Sequence, residues 1–171
     1  IDSIEKNNLA AEISLILSNV PDAYGLQRGK KHGLESVFLN PKNFSSRNDY
    51  EKKMIELLQT KSVDLVCLAG FMRILGKKFI EAFSGKIINI HPSLLPAFPG
   101  LNVQEKALEH GAKFSGCTVH FVNEEVDGGA IILQAIVPIL DEDDVQSLSD
   151  RILEQEHIIY PEAIRLIIED N

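Results

Sequence analysis

The sequence lacks several features, and each absence narrows its function. No apolar run approaches the ~18 residues that a membrane-spanning helix needs. No stretch resembles a signal peptide, so the cytoplasm is the expected compartment. Basic residues are few: 17 Lys and Arg stand against 25 Asp and Glu, a net charge of -8 over 171 residues. Nucleic-acid and anionic-membrane surfaces both need a basic face, so no nucleic acid and no membrane is expected as a partner. A small local anion pocket is still compatible with this balance. Cysteine is scarce, with two residues. Cys67 and Cys117 each sit inside an apolar run, where a thiol behaves as a small hydrophobe, and both are expected buried in strands. The five histidines are scattered, and neither cysteine stands at metal spacing from one, so no metal is expected. No internal repeat, low-complexity tract or linker interrupts the chain, and residues 1–171 read as a single domain.

What is present is an ordinary globular composition, 44% hydrophobic and 25% charged, enough for a proper core. Residues 1–8 read as the last turns of a helix. Glu12 to Ser18 is a short β-branched run expected as a strand. Asp22 is the expected N-cap of a helix that runs toward Gly33, its expected C-cap. Ser36 to Leu39 is a second strand. Ser46 or Asn48 is placed to cap a helix through Leu58, with Met54, Ile55, Leu57 and Leu58 at helical spacing. Val63 to Ala69 is a near-continuous apolar run, as in a strand buried on both faces. A short helix over 77–83 and a strand from Lys86 to Ile90 follow. Strands alternating with helices imply an α/β fold, doubly wound with a mostly parallel sheet. Cys117 to Val122 and Ala130 to Ile139 have no helix between them, so they form a hairpin that makes the sheet mixed at that edge. The acidic run Asp141 to Asp144 reads as a solvated approach to a helix. Val145 to Ile168 is a long amphipathic helix, with Pro161 expected to kink or restart it.

Three segments carry chemistry. Asn89-Ile90-His91-Pro92-Ser93-Leu94-Leu95-Pro96, continuing to Gly100, lies at the carboxyl end of a parallel strand, where α/β sheets bind ligands. Residues i and i+2 of a strand share a face, so Asn89 and His91 project together. Prolines at 92, 96 and 99 stiffen the following loop. A histidine satisfied by backbone carbonyls is the plainer alternative. Asp127-Gly128-Gly129 either lets a ligand approach closely or makes a simple hairpin turn. Gly70-Phe71-Met72-Arg73-Ile74-Leu75 either lines a pocket for a flat heteroaromatic or begins a helix with a surface arginine.

In combination, G-F-M-R-I-L, N-I-H-P-S-L-L-P-A-F-P-G and V-D-G-G resemble the phosphoribosylglycinamide formyltransferases of the folate-dependent formyltransferase family. The likeness runs from the first residues to the final helix in order and spacing. It implies a Rossmann-like formyltransferase fold and a catalytic trio of Asn89, His91 and Asp127. It implies that Met72, Arg73, Ile74 and Leu75 form one wall for the pterin of 10-formyltetrahydrofolate. Asn89 and the segment Asn123, Glu124, Glu125, Val126 and Asp127 would form its other side, and Arg47 would also contact the folate. Pro92, Gly100, His120 and Glu156 would lie near the second substrate, glycinamide ribonucleotide. The family's opening strand and its G-x-G-S-N phosphate turn are not in this sequence. The N- and C-terminal ends of the family domain are therefore expected to be missing, and Leu153 stands where a polar substrate contact is expected.

Those residue types suit the implied reaction. A primary amine attacks a formyl carbon and an oxyanion develops. N–H donors on Asn89 and His91 can stabilise it, each such donor being worth roughly 3–4 kcal/mol. His91 can also move the proton from the amine to the departing folate nitrogen. The same trio could act on water, as in a 10-formyltetrahydrofolate hydrolase, or on methionyl-tRNA, which the acidic balance disfavours. A non-catalytic folate-binding homologue is the reading from a different class. Either a monomer or a homodimer is compatible with the sequence.

Overall fold

The computed structural model describes residues 1–169. Its packing divides into two compact units, Ile1–Asp64 with Leu75–Ala82, and Leu65–Ile74 with the chain from Phe83 onward.

The first unit contains α1 (Asp2–Glu5), β1 (Ile16–Ser18), α2 (Tyr24–Lys31), β2 (Ser36–Phe38), α3 (Arg47–Thr60) and α4 (Lys77–Ala82). β1 and β2 pair in parallel, Leu17 opposite Val37, with α2 as the crossover. Asp22 does not cap α2; Ala23 holds that position and makes no side-chain bond. The other end of α2 follows the expectation. Gly33 takes φ +70°, and Leu34 N–H reaches back to Gly29 O at 2.9 Å while Gly33 N–H reaches Lys30 O at 3.2 Å. That bond pair is a Schellman stop, which needs a left-handed residue after the cap. Ser46 caps α3 by accepting from Asp49 N–H at 3.1 Å. Leu26, Tyr50, Met54, Leu58, Leu75 and Phe79 are buried.

The second unit holds β3 (Val66–Leu68), β4 (Ile87–His91), α5 (Val103–Glu109), β5 (Phe114–Phe121), β6 (Ile131–Pro138) and α6 (Val145–Glu169). The sheet order is β3-β4-β5-β6. β3 and β4 are parallel, whereas β4–β5 and β5–β6 are antiparallel. The α/β architecture with a mixed edge is thus as expected, and its antiparallel part extends one pairing further, to β4. The strand at β3 is shorter than its apolar run and is not buried on both faces. It is an edge of its sheet, and Cys67 is exposed there, against expectation, while Cys117 on the inner strand β5 is buried. Helix α5 had no marked signal; its N-cap Asn102 makes no side-chain bond.

Alternation divides the two faces of this sheet. Ile88 and Ile90 of β4 and Cys117 and Val119 of β5 form one core with Val137 and, from α6, Leu148, Ile152, Ile159 and Ala163. The residues between them, Asn89, His91, Thr118 and His120, therefore belong to the opposite face. Helix α6 is continuous through Pro161 and is not restarted there. The Tyr160 hydroxyl on α6 donates to Leu68 O at 2.7 Å, which ties the helix to β3.

The acidic run is more than a solvated approach. Asp144 Oδ1 accepts Ser147 N–H at 2.7 Å, and Ser147 Oγ accepts Asp144 N–H at 3.0 Å, a reciprocal cap on α6. The Asp143 carboxylate is 2% exposed and takes a bidentate pair from Arg151 at 2.6 and 2.7 Å. Arg151, then the Leu140 N–H, hold its pKa well below the usual carboxylate range. A depressed carboxylate stabilises the fold above its unfolded pKa, about 4, and loses that contribution as pH falls. Asp143→Asn is therefore expected to melt lower than the parent at neutral pH, with the gap closing on acidification below pH about 4. Parallel thermal melts at pH steps check this; a gap independent of pH would contradict it.

Candidate active site

The site is built where β4 and β5 pair and where two loops return to them. Asn89 stands opposite His120, and His91 opposite Thr118, in the antiparallel register. Two polar pairs thus face one another across adjacent strands. The β5–β6 register shifts between Val119 and His120. Bulges of this kind re-aim a side chain beside active sites.

Asp127 is supplied by the loop between β5 and β6, and it sits between the two histidines. Its Oδ2 lies 3.5 Å from His91 Nδ1, and its Oδ1 lies 3.7 Å from His120 Nε2. Gly100 N–H donates to Asp127 Oδ2 at 2.8 Å and anchors the carboxylate. Asp127 adopts φ +53°, a left-handed conformation that Asp tolerates better than most residues. Gly129 cannot be replaced without movement. A Cβ there would fall 1.7 Å from Phe121 O, which already accepts His120 Nδ1–H at 2.8 Å.

The two imidazoles are held in different roles. His91 is 5% exposed, and its Nε2 donates to Phe98 O at 2.9 Å. The plainer alternative of a carbonyl-satisfied histidine therefore describes one nitrogen only; Nδ1 faces the Asp127 carboxylate. Both ring nitrogens face acceptors, an arrangement that an imidazolium satisfies completely. His120 has its hydrogen on Nδ1, bonded to Phe121 O, so Nε2 accepts from Asn89 Nδ2 at 3.4 Å. Burial lowers the His120 pKa, with His91 adding to the effect and Phe121 O and Asp127 opposing it. The neutral ring fits its bonding.

The structure therefore gathers Asn89, His91, His120, Asp127 and Gly100 into one cluster. Pro92 begins the loop that returns to it. Asn123 accepts Glu125 N–H at 2.9 Å and shapes the opposite loop, where Glu124 and Val126 are exposed. Met72, Arg73 and Ile74 are exposed in the segment after β3, with Met72 77% and Ile74 66% exposed, while Leu75 is 7% exposed. Arg47 belongs to the first unit, at the start of α3, where its Nε donates to Glu51 at 2.7 Å. Glu156 is on α6, the helix packed against the apolar face of the sheet. Burial raises its pKa, and burial together with the Glu156 charge pushes the Cys117 thiol up to about 12. Among the described residues, no group of three His, Cys, Asp or Glu side chains is arranged to hold a metal ion. No described helix is long and apolar enough to cross a membrane.

Sequence reading missed Thr118, Ser93 and the Phe98 carbonyl. The signal for Thr118 was the polar alternation Thr118-x-His120, a counterpart to Asn89-x-His91 on the neighbouring strand.

A family model described as formyl transferase matches residues 1–164. The chain belongs to the formyl transferase family. Its relatives include a protein of Haemophilus influenzae named phosphoribosylglycinamide formyltransferase, 49% identical over 170 residues, covering 99% of this chain and 80% of that protein. A Drosophila melanogaster protein named trifunctional purine biosynthetic protein adenosine-3 is 50% identical over 158 residues. That match takes in 92% of this chain but only 12% of the fly protein. The crystal structure of glycinamide ribonucleotide transformylase 1 from Symbiobacterium toebii superposes with a TM-score of 0.97 at 49% identity, covering 99% of this chain and 80% of that one. Within the formyl transferase family the chain thus groups with the phosphoribosylglycinamide formyltransferases. Gly129→Ala is expected to displace the Asp127 loop. About 1–3 kcal/mol of stability and about 100-fold in turnover should be lost, read by denaturant melts and steady-state kinetics. Unchanged turnover would show that the loop does not fix Asp127.

Proposed function

We propose that this chain transfers the formyl group of 10-formyltetrahydrofolate to the amine of glycinamide ribonucleotide. The observation that carries the reading is the Asp127 carboxylate set between His91 and His120, with Asn89 alongside. The names borne by its relatives support the same reaction.

The amine attacks the formyl carbon; an N–C bond forms and the carbonyl becomes an oxyanion. Asn89 spends one N–H on His120 and keeps the other for the oxyanion. His91 Nε2 is tied to Phe98 O, which leaves Nδ1 as the working nitrogen. Its N–H steadies the oxyanion and then protonates the folate nitrogen as the C–N bond breaks. Asp127 takes the proton released by the amine and returns it to His91, so the protons balance. No metal takes part in this scheme.

Exposed Met72, Ile74 and Val126 are apolar and suited to a flat pterin, with Arg73, Asn123, Glu124 and Glu125 around them. Any part played by Leu75 falls to its main chain, since its side chain is buried. Arg47 would meet the folate, and Pro92, Gly100 and Glu156 the ribonucleotide. The test is the release of deformylated folate. It is expected to depend on added glycinamide ribonucleotide, and release at the same rate without it would overturn the reading.

A further inference from the structure

The loop after His91 is held from outside by a side chain that the mechanism does not use. Gln134 lies on the edge strand β6, opposite Thr118 in register. Its Nε2 donates to Leu95 O at 2.9 Å and to Thr118 Oγ1 at 3.0 Å. Thr118 is fully buried. Its hydroxyl donates to Ser93 O at 2.7 Å and accepts Leu95 N–H at 3.1 Å as well as the Gln134 N–H. One hydrogen and two lone pairs are thereby all used, and the hydroxyl has a single orientation. Ser93, also fully buried, closes the far side of the loop by donating to Ala97 O at 2.6 Å, with Phe98 O at 3.1 Å. Phe98, at φ +51°, presents the carbonyl that receives His91 Nε2–H.

These bonds form one path from β6 to the catalytic imidazole: Gln134, Thr118 and Leu95, the loop, Phe98 O, His91. We propose that Gln134 is a positioning residue, whose amide N–H donors fix the loop and through it aim His91 Nδ1 at Asp127. The proposal rests on His91 being the group that moves the proton. A buried hydrogen-bond network of this kind can fix a unique geometry when every member is satisfied, and misplacement of a reacting group by about 1 Å can cost 100-fold in rate.

The test uses Gln134→Ala and Gln134→Glu in the purified protein. Glutamate keeps the size of glutamine but has no N–H to give, and its exposed edge position suits it to folding where alanine fails. Both variants are expected to lose about 10- to 100-fold in kcat with KM for each substrate little changed. In substrate-free protein the ring ¹⁵N and ¹H resonances of His91 are expected to move or broaden, while those of His32 stay in place. A lower melting temperature alone would not produce that pattern. Unmoved His91 resonances in both variants, or moved resonances with full kcat, would overturn the proposal. If the parent shows no formyl transfer, the proposed function fails, and the resonance comparison still decides whether Gln134 positions His91.

Discussion

Replacing His91 by alanine is expected to slow formyl transfer by about 10²- to 10⁴-fold, the range usual for removing a positioned acid–base group. The ring has one nitrogen anchored on the Phe98 carbonyl and the other facing the Asp127 carboxylate, at 2.9 and 3.5 Å. Alanine removes the oxyanion donor and the proton carrier together. Asp127→Asn should cost a similar amount by a different route. The amide keeps the shape and can still accept Gly100 N–H, yet it cannot take the amine proton or balance an imidazolium. Both variants should retain most of their folate affinity, because the proposed pterin contacts lie in residues 72–74 and 123–126. Steady-state kinetics with equilibrium binding of folate separates the two effects. Near-parental turnover by either variant would remove the trio from the mechanism.

Leu148→Ala has the largest expected effect on stability. Leu148 is fully buried in α6 and belongs to the cluster that includes Ile88, Ile90 and Val119. Those strand residues alternate with Asn89, His91 and His120, so the core under α6 supports the site from behind. Removing the side chain forfeits its transfer energy and leaves a cavity, together about 2–5 kcal/mol. Against the 5–15 kcal/mol typical of a whole domain, that is a large share. The denaturant midpoint should fall sharply, while kcat per folded molecule changes little. A loss below about 1 kcal/mol would mean the helix is not what holds this sheet face.

Much of the site was legible because its chemistry is local. Asn89-x-His91 on one strand can only share a face, and Asp127-Gly128-Gly129 announces a turn that steric contact at Gly129 makes obligatory. What stayed hidden depends on partners distant in sequence. The pairing of Asn89 with His120, and of Thr118 with Gln134, follows from strand register, which no single segment encodes. The Phe98 carbonyl is backbone and leaves no mark in residue type. The bond from Asn89 to His120, a residue expected near the ribonucleotide, is one such contact. Cys67 lies in as apolar a run as Cys117, and hydrophobicity alone does not distinguish an edge strand from an inner one. Likewise Asp143 looks like one more surface acid until Arg151, two turns along α6, is folded onto it.

The reaction at stake is delivery of a formyl group to a small amine by the Asn89–His91–Asp127 cluster. Its most direct test follows an isotopic label in the formyl group of 10-formyltetrahydrofolate, with glycinamide ribonucleotide, water and methionyl-tRNA offered as competing acceptors. The label is expected in formylglycinamide ribonucleotide, and Asp127→Asn is expected to abolish most of the transfer. Label recovered as free formate or on the tRNA, with the ribonucleotide unlabelled, would contradict it.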